Sequence, residues 1–416
     1  MWKAVEINDW TMKRRATLAQ VQDAVQGIIG EVRESGDRAL IDLAARFDRV
    51  KLDGIRVSEE EQQEAYDLVD EQVVESLVEA AARITVFHEL QRPKDLWLSE
   101  VEPGITLGVK TTPLSRVGAY VPGGRASYPS TALMCTIPAK VAGVGEICCC
   151  SPPPIHPLTL VALDIAGVSE IYRAGGAQAI AAMALGTETI KPVQKIVGPG
   201  NVYVTAAKML LREYAEIDFP AGPSEVAILA DETATPSFVA ADILAQAEHD
   251  PNAACLLITT DPTLAREVGE EVGRQLLMAP RKAIIEQSLN NAGYLIASDL
   301  DVAIEAVNTV APEHLSIQVA DPLSALGSIR NAGSIFIGPY APVACGDYAS
   351  GTNHVLPTAG YAARFSGLDV NHFCKTSTVQ MISRRGLETI GDVVETIAEA
   401  EGLSAHAESV RVRRRS

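Results

Sequence analysis

The sequence has little with which to staple itself, cross a membrane or hold a polyanion. Its seven cysteines are odd in number, and Cys148, Cys149 and Cys150 are consecutive. Neighbours on a strand point to opposite faces, and no Cys-x-x-Cys pair occurs, so neither a disulfide framework nor a zinc ribbon is expected. The thiols are read as reduced and buried in the core. Every apolar run is broken by Lys, Glu, Gly or Pro before it reaches the roughly 20 residues a bilayer requires. Residues 1–15 lack the apolar segment of a secretory signal. Positive charge is scarce, with 35 Lys and Arg against 53 Asp and Glu for a formal net charge of −18. Such a surface repels phosphate backbones and anionic headgroups. The one basic cluster, Arg411 with Arg413, Arg414 and Arg415, sits on a tail that reads as solvated or paired with local acids. A cytoplasmic protein with neither nucleic-acid nor membrane partners is expected. Its 416 residues suffice for about two or three folding units.

What is present has the texture of an α/β protein. Apolar residues at three- and four-residue spacing predict a pair of helices over 16–47, interrupted near Gly36, and more helix over 58–87 with Glu59, Glu60 and Glu61 in its first turn. Beyond Thr111, short β-rich runs alternate with Gly- and Pro-rich turns and Ala-rich helical segments. Strands are expected at 117–121, 147–150, 170–173 and 195–197, each leading into a turn at its carboxyl end, the rim where open α/β sheets place ligands. A second wound sheet is expected from strands at 226–229, 256–259, 315–319 and 335–337, with a helix from Pro236 to His249. Residues 346–358 are too polar for regular structure and long for a plain connection, which marks a functional loop. An amphipathic helix closes the chain over 387–403.

The glycine turns are suited to anion or dinucleotide contact, but the nearest approach to the dinucleotide fingerprint, Gly143-Val144-Gly145, has Cys148 where a third glycine is expected. Gln246 and His249 lie three residues apart and project from one helix face. Glu313-His314, ahead of a strand, offers a carboxylate and an imidazole to one substrate. Asp347 is a hard oxygen donor, and His354 and His406 add imidazoles. A nitrogen and oxygen donor set without thiolate suits zinc, manganese or cobalt. The residues themselves therefore lead to a soluble α/β metalloenzyme with a possible nucleotide site.

The motifs Val117-Gly118-Ala119-Tyr120-Val121-Pro122-Gly123-Gly124, Gly175-Gly176-Ala177-Gln178, Gly198-Pro199-Gly200-Asn201 and Pro220-Ala221-Gly222-Pro223-Ser224-Glu225 occur in this order. Gln246-Ala247-Glu248-His249, Ala311-Pro312-Glu313-His314-Leu315 and the run from Gly346 through Asp347 to His354 follow. Together they resemble the histidinol dehydrogenase family, from about Arg116 to the C-terminus and more diffusely before it. The resemblance implies an α/β fold of two incomplete Rossmann-like wound domains with a helical N-terminal segment, a small helical C-terminal tail and an intertwined homodimer. The implied domains are an N-terminal helical arm over 1–20, a first α/β domain over 21–115 with 226–355 carrying the base and zinc ligands, a second over 116–225 on the NAD side, and a tail domain over 356–416 reaching the partner chain. It implies zinc on Gln246, His249, Asp347 and His406, the last from the partner chain. Substrate contacts are implied at Ser224, Gln246, His249, His314, Asp347, His406 and Glu401, and NAD contacts at Tyr120, Gln178 and Asn201. Glu313 and His314 would be the catalytic pair in a four-electron oxidation of L-histidinol through L-histidinal to L-histidine, the last step of histidine biosynthesis. These positions show no departure from the family pattern, although the chain is slightly shortened between Asn201 and Ser224. Three alternatives stand beside this reading: a paralogue oxidising another polar alcohol such as a sulfonated diol, a zinc-binding protein without turnover, and a thiohemiacetal route through Cys135, Cys255 or Cys345.

Overall fold

The computed structural model describes residues 2–14, 20–123 and 127–415. The chain forms two units: residues 1–91 with 115–373, and residues 92–114 with 374–416. In the smaller unit, β1 (Leu96–Glu102) and β2 (Ile105–Pro113) make an antiparallel hairpin through Gly104, whose φ of 85° is the left-handed conformation glycine adopts freely.

In the larger unit, β3 (Arg116–Tyr120), β4 (Glu146–Ser151), β5 (Glu170–Arg173), β6 (Lys195–Val197) and β7 (Glu216–Ile217) form a parallel sheet in the order 5-4-3-6-7. A second parallel sheet follows, made of β8 (Glu225–Ala230), β9 (Ala254–Thr259), β10 (Ala292–Ile296), β11 (His314–Gln318) and β12 (Ser334–Ile337) in the order 10-9-8-11-12. Each sheet reverses direction of growth beside its first strand, so each has one switch point, at β3/β6 and at β8/β11. Every residue of β8 is buried and successive side chains enter opposite layers. Val226, Ile228 and Ala230 pack under the helices Pro236–Ala247 and Pro262–Leu276, while Ala227 and Leu229 meet the helix Leu300–Val310. This is the expected wound α/β architecture.

The remaining strand, β13 (Cys374–Ile382), pairs antiparallel with β2 and completes the small three-stranded sheet. Two helices, Arg384–Ala400 and Ser404–Arg415, end that unit. There Arg411 reaches Glu395 and Glu399, and Arg414 reaches Asp392 and Glu395, so the basic cluster is paired with local acids.

The domain boundaries depart from those expected. The helix Gln22–Leu43 buries Val25, Ile28, Ile29, Val32, Leu40 and Leu43 in one cluster with Tyr120, Cys148 and Tyr172, which belong to the first sheet. Its neighbour is the Ala-rich helix Gly176–Leu185, whose small side chains admit close packing. Each such Leu, Ile or Val contributes about 1.5–3 kcal/mol. The helices Glu59–Asp67 and Glu71–Leu90 pack on Pro157–Ile165 and Pro129–Ala142. Residues 21–91 thus join the sheet assigned to 116–225, and residues 92–114 join the tail. The helix expected from residue 16 starts at Gln22, and residues 16–19 lie outside those described, as does Gly124 of the first motif. Five thiols are buried and none is paired, whereas Cys345 is exposed and Cys374 half-buried, so two of the seven leave the expected core. Among the described residues no helix is long and apolar enough to cross a membrane.

Candidate active site

The first sheet gathers three of the expected residues at its carboxyl rim. Tyr120 ends β3, and its hydroxyl accepts the Gly176 N–H at 3.0 Å. Gln178 is buried in the first turn of Gly176–Leu185. Asn201 follows β6 and caps the helix Val202–Leu210, its Oδ1 accepting from the N–H groups of Tyr203 (3.0 Å) and Val204 (3.1 Å). Between them Gly198 has φ 113°, and a Cβ there would strike the Tyr120 carbonyl. Lys208 and Asp218, both buried, tie this turn down: Lys208 Nζ donates to Asp218 at 2.8 Å and to the Gly198 carbonyl at 2.5 Å, and Asp218 accepts the Gly198 N–H at 2.8 Å.

The second sheet gathers its polar residues at the opposite, amino rim. Ser224 precedes β8 and is fixed through its carbonyl by the Ala254 N–H at 3.1 Å. The helix Pro236–Ala247, entered through a proline at its first turn, runs back and returns Gln246 and His249 to that rim. Glu313 and His314 stand where β11 begins, both about 5 % exposed. Asp347 comes from the helix Val343–Tyr348, its Oδ1 3.8 Å from His314 Nε2.

Burial sets the protonation states. It pushes His314 down to about 3, leaving a neutral imidazole. The 3.6 Å approach of His314 Nδ1 to Glu313 Oε2 is therefore no ion pair. Nδ1–H donates instead to the Glu225 carbonyl at 3.1 Å, and the lone pair is on Nε2, which is buried and has no hydrogen-bond partner. Burial raises Glu313 well above the usual carboxylate range and Asp347 to about 7. Solvent reaches His249, yet enough of its ring is covered to lower its proton affinity. Gln246 is buried with its Nε2 unpartnered. The amide of Gln246 and the neutral imidazole of His314 are thus buried with an unpartnered nitrogen each, and no Lys or Arg meets the Asp347 carboxylate among the described residues.

A profile of the histidinol dehydrogenase family matches residues 11–414. The chain belongs to the histidinol dehydrogenase family. It is 54 % identical over 406 residues to the histidinol dehydrogenase of Methanosarcina barkeri, covering 97 % of this chain and 94 % of that one. Identity to the histidinol dehydrogenase of Geobacter sulfurreducens is 47 % over 401 residues, covering 95 % and 93 %. The crystal structure of the histidinol dehydrogenase of Elizabethkingia anophelis superposes with a TM-score of 0.94 at 39 % identity, covering 99 % of this chain and 97 % of that one. Family membership makes the chain an oxidoreductase.

The remaining expected residues fall elsewhere. Glu401 and His406 belong to the smaller unit and are exposed there. Among the described residues no group of three or more His, Cys, Asp or Glu is arranged to hold a metal ion. His354 is structural, its Nδ1 donating to the Asp347 carbonyl (2.8 Å) and its Nε2 meeting Thr131 Oγ1 (3.2 Å). Burial raises the Cys135 and Cys255 thiols, which disfavours the nucleophilic thiolate a thiohemiacetal route requires. Sequence reasoning gave no role to Glu225, which contacts both members of the pair. The available signal was an acidic residue opening an otherwise apolar strand, since a buried charge requires partners.

Proposed function

We propose that the chain oxidises L-histidinol through L-histidinal to L-histidine with NAD and zinc, as a cytoplasmic homodimer. The observation that carries the reading is the Glu313–His314 pair, neutral imidazole beside buried carboxylate, with His314 Nε2 unpartnered 3.8 Å from Asp347 Oδ1 and Gln246 Nε2 also buried without a partner. Oxygen and nitrogen donors of this kind suit zinc, and Asp347 is a buried carboxylate that a cation would relieve. Gln246, His249 and Asp347 would hold it together with His406 of the partner subunit, and the five buried thiols, none in a disulfide, fit a reducing compartment. When bound, zinc would anchor the imidazole and amino nitrogens of the substrate, and two NAD molecules in succession would each accept one hydride.

His314 takes the hydroxyl proton at Nε2 in the first oxidation, because Nδ1 is held as the donor. Glu313, whose proton affinity burial has raised, draws a proton from the water that hydrates the aldehyde. His314 returns its proton to the aldehyde oxygen as the hydrate forms and, as free base again, accepts the proton of the hydrate in the second oxidation. Ser224 of the same chain and Glu401 of the partner subunit orient the substrate. Tyr120 and Gln178 line the cofactor rim, and Asn201, with its Oδ1 engaged by the helix cap, presents its amide NH2 there.

The test is NADH formation from limiting L-histidinol by zinc-loaded protein, with the product identified by mass. The expected yield is two NADH per histidine. Bound zinc with no turnover of histidinol would overturn the reading and favour a paralogue for another polar alcohol.

A further inference from the structure

We propose that Glu225, anchored by Arg14 of the N-terminal arm, is a positioning residue that fixes both Glu313 and His314. The inference rests on the catalytic roles proposed for that pair. Three separate groups of Glu225 hold it. Its N–H donates to Glu313 Oε2 at 2.8 Å, its carboxylate Oε1 accepts the Glu313 N–H at 3.2 Å, and its carbonyl accepts from His314 Nδ1 at 3.1 Å. The first two bonds are reciprocal and hold the Glu313 carboxylate and backbone together. The third selects the tautomer that leaves His314 Nε2 as acceptor. Backbone groups alone would provide two of these bonds. The Glu225 side chain supplies the remaining one, from the Glu313 N–H, and connects the cluster to a cation.

That cation is Arg14. Its guanidinium meets Glu225 Oε2, donates from Nη2 to the Val310 carbonyl at 3.1 Å, and lies 3.9 Å from the centroid of the Trp10 ring. The Ala359 N–H lies close enough to the Glu225 carboxylate to favour its charged form. Two buried carboxylates so close together repel each other, and Arg14 offsets one of the charges. Backbone geometry adds an independent observation. Ala311 (φ 47°) and Ala359 (φ 54°) are two of the three non-glycine residues in the left-handed region among those described. Ala311 leads through Pro312 into the pair, and Ala359 is the residue that contacts Glu225. Left-handed alanine costs on the order of 1–2 kcal/mol and persists where surrounding contacts impose it.

The decisive experiment compares Glu225→Gln, Arg14→Met and Arg14→Lys in the zinc-loaded full chain. Glu225→Gln and Arg14→Met are expected to lower kcat on the order of 100-fold, the scale of a displaced catalytic group. KM for histidinol and zinc content are expected to stay within about twofold, since substrate binding is not what is removed. Arg14→Lys, which restores the charge, is expected to recover most of kcat. In a Glu313→Gln background, adding Glu225→Gln is expected to cost little more, because the two then act through one group. Full turnover in both Glu225→Gln and Arg14→Met, or losses that multiply in the double variant, would overturn the proposal. If Glu225→Gln loses its fold by near-ultraviolet circular dichroism, the Arg14 pair decides the question. If the wild-type chain oxidises a different alcohol, the proposed substrate fails while the same ratios, read with that alcohol, still test the positioning role. Nitrogen-15 NMR of His314 gives a readout without substrate: the Nδ1–H form is expected in the wild-type chain and a mixture of tautomers in Arg14→Met.

Discussion

Two sheets of the larger unit share one strand order and carry their proposed site residues at opposite rims. In the first, the carboxyl rim carries Tyr120, Gln178 and Asn201, while the amino rim is closed. There Arg116 opens β3 and donates to Glu146 at 2.6 Å and to both carboxylate oxygens of Glu170 at 3.1 and 2.6 Å, and Tyr172 adds a 2.7 Å bond to Glu170. In the second sheet the amino rim is the open one, with His314 Nε2 and Gln246 Nε2 both buried and unpartnered. The same topology supports either arrangement. What sets the amino rim of the second sheet apart from that of the first is that the buried nitrogens of His314 and Gln246 have no partner within the chain. A switch point locates where a ligand can enter, and the unpaired atoms of His314 and Gln246 mark the rim to which the chemistry is assigned in the proposal.

The largest effect that separates the rims is expected from His314→Gln. Loss of the general base should lower kcat about 100- to 10,000-fold with NAD affinity and zinc content unchanged. Steady-state kinetics with equilibrium NAD binding would check this, and a parallel loss of NAD affinity would erase the proposed division of labour. Next comes Lys208→Met at the first rim, which leaves Asp218 buried without its cation and the Gly198 carbonyl without its donor. A destabilisation of about 3–5 kcal/mol is expected in urea unfolding, with a raised KM for NAD and an unchanged KM for histidinol. Asn201→Ala removes a helix cap and should cost about 0.5–2 kcal/mol, again with weaker NAD binding alone.

The smallest effect concerns the closed rim. The hydrogen bonds from Arg116 pull Glu170 down to about 2 from an ordinary 4.5, against an opposing effect of burial. A depressed folded-state value means that the contribution to stability is present above about 4.5 and is lost as the pH falls toward 2. Acid unfolding followed by circular dichroism should show this dependence, and Glu170→Gln should flatten it without altering turnover at neutral pH.

The wound sheets were legible in the sequence because their strands are short apolar runs bounded by glycine and proline, as at 170–173 and 195–197. The small sheet was not. All seven residues of β1 are exposed, so no alternation of apolar and polar faces marks it, and β13 pairs with β2 across most of the chain. At the site, Glu313-His314 was visible as a dipeptide and Gln246 with His249 as a helical pair. Nothing local tied them to Glu225, whose contacts lie 88 and 89 residues away. The split of residues 58–90 into two helices was also hidden, since Asp70 caps the second through its own side chain while the apolar spacing continues. Periodicity reports which face is buried and carries no information about which distant group it meets.

The N-terminal arm touches the second sheet early in its course: the Val5 N–H donates to the Tyr294 carbonyl at 3.0 Å, and Arg14 contacts the Val310 carbonyl 296 residues further on. During synthesis, a ribosome that has not yet released residue 359 therefore holds a nascent chain whose base pair lacks part of its frame. The first residues to emerge wait for some of the last, and the enzyme becomes competent late in its own translation rather than domain by domain.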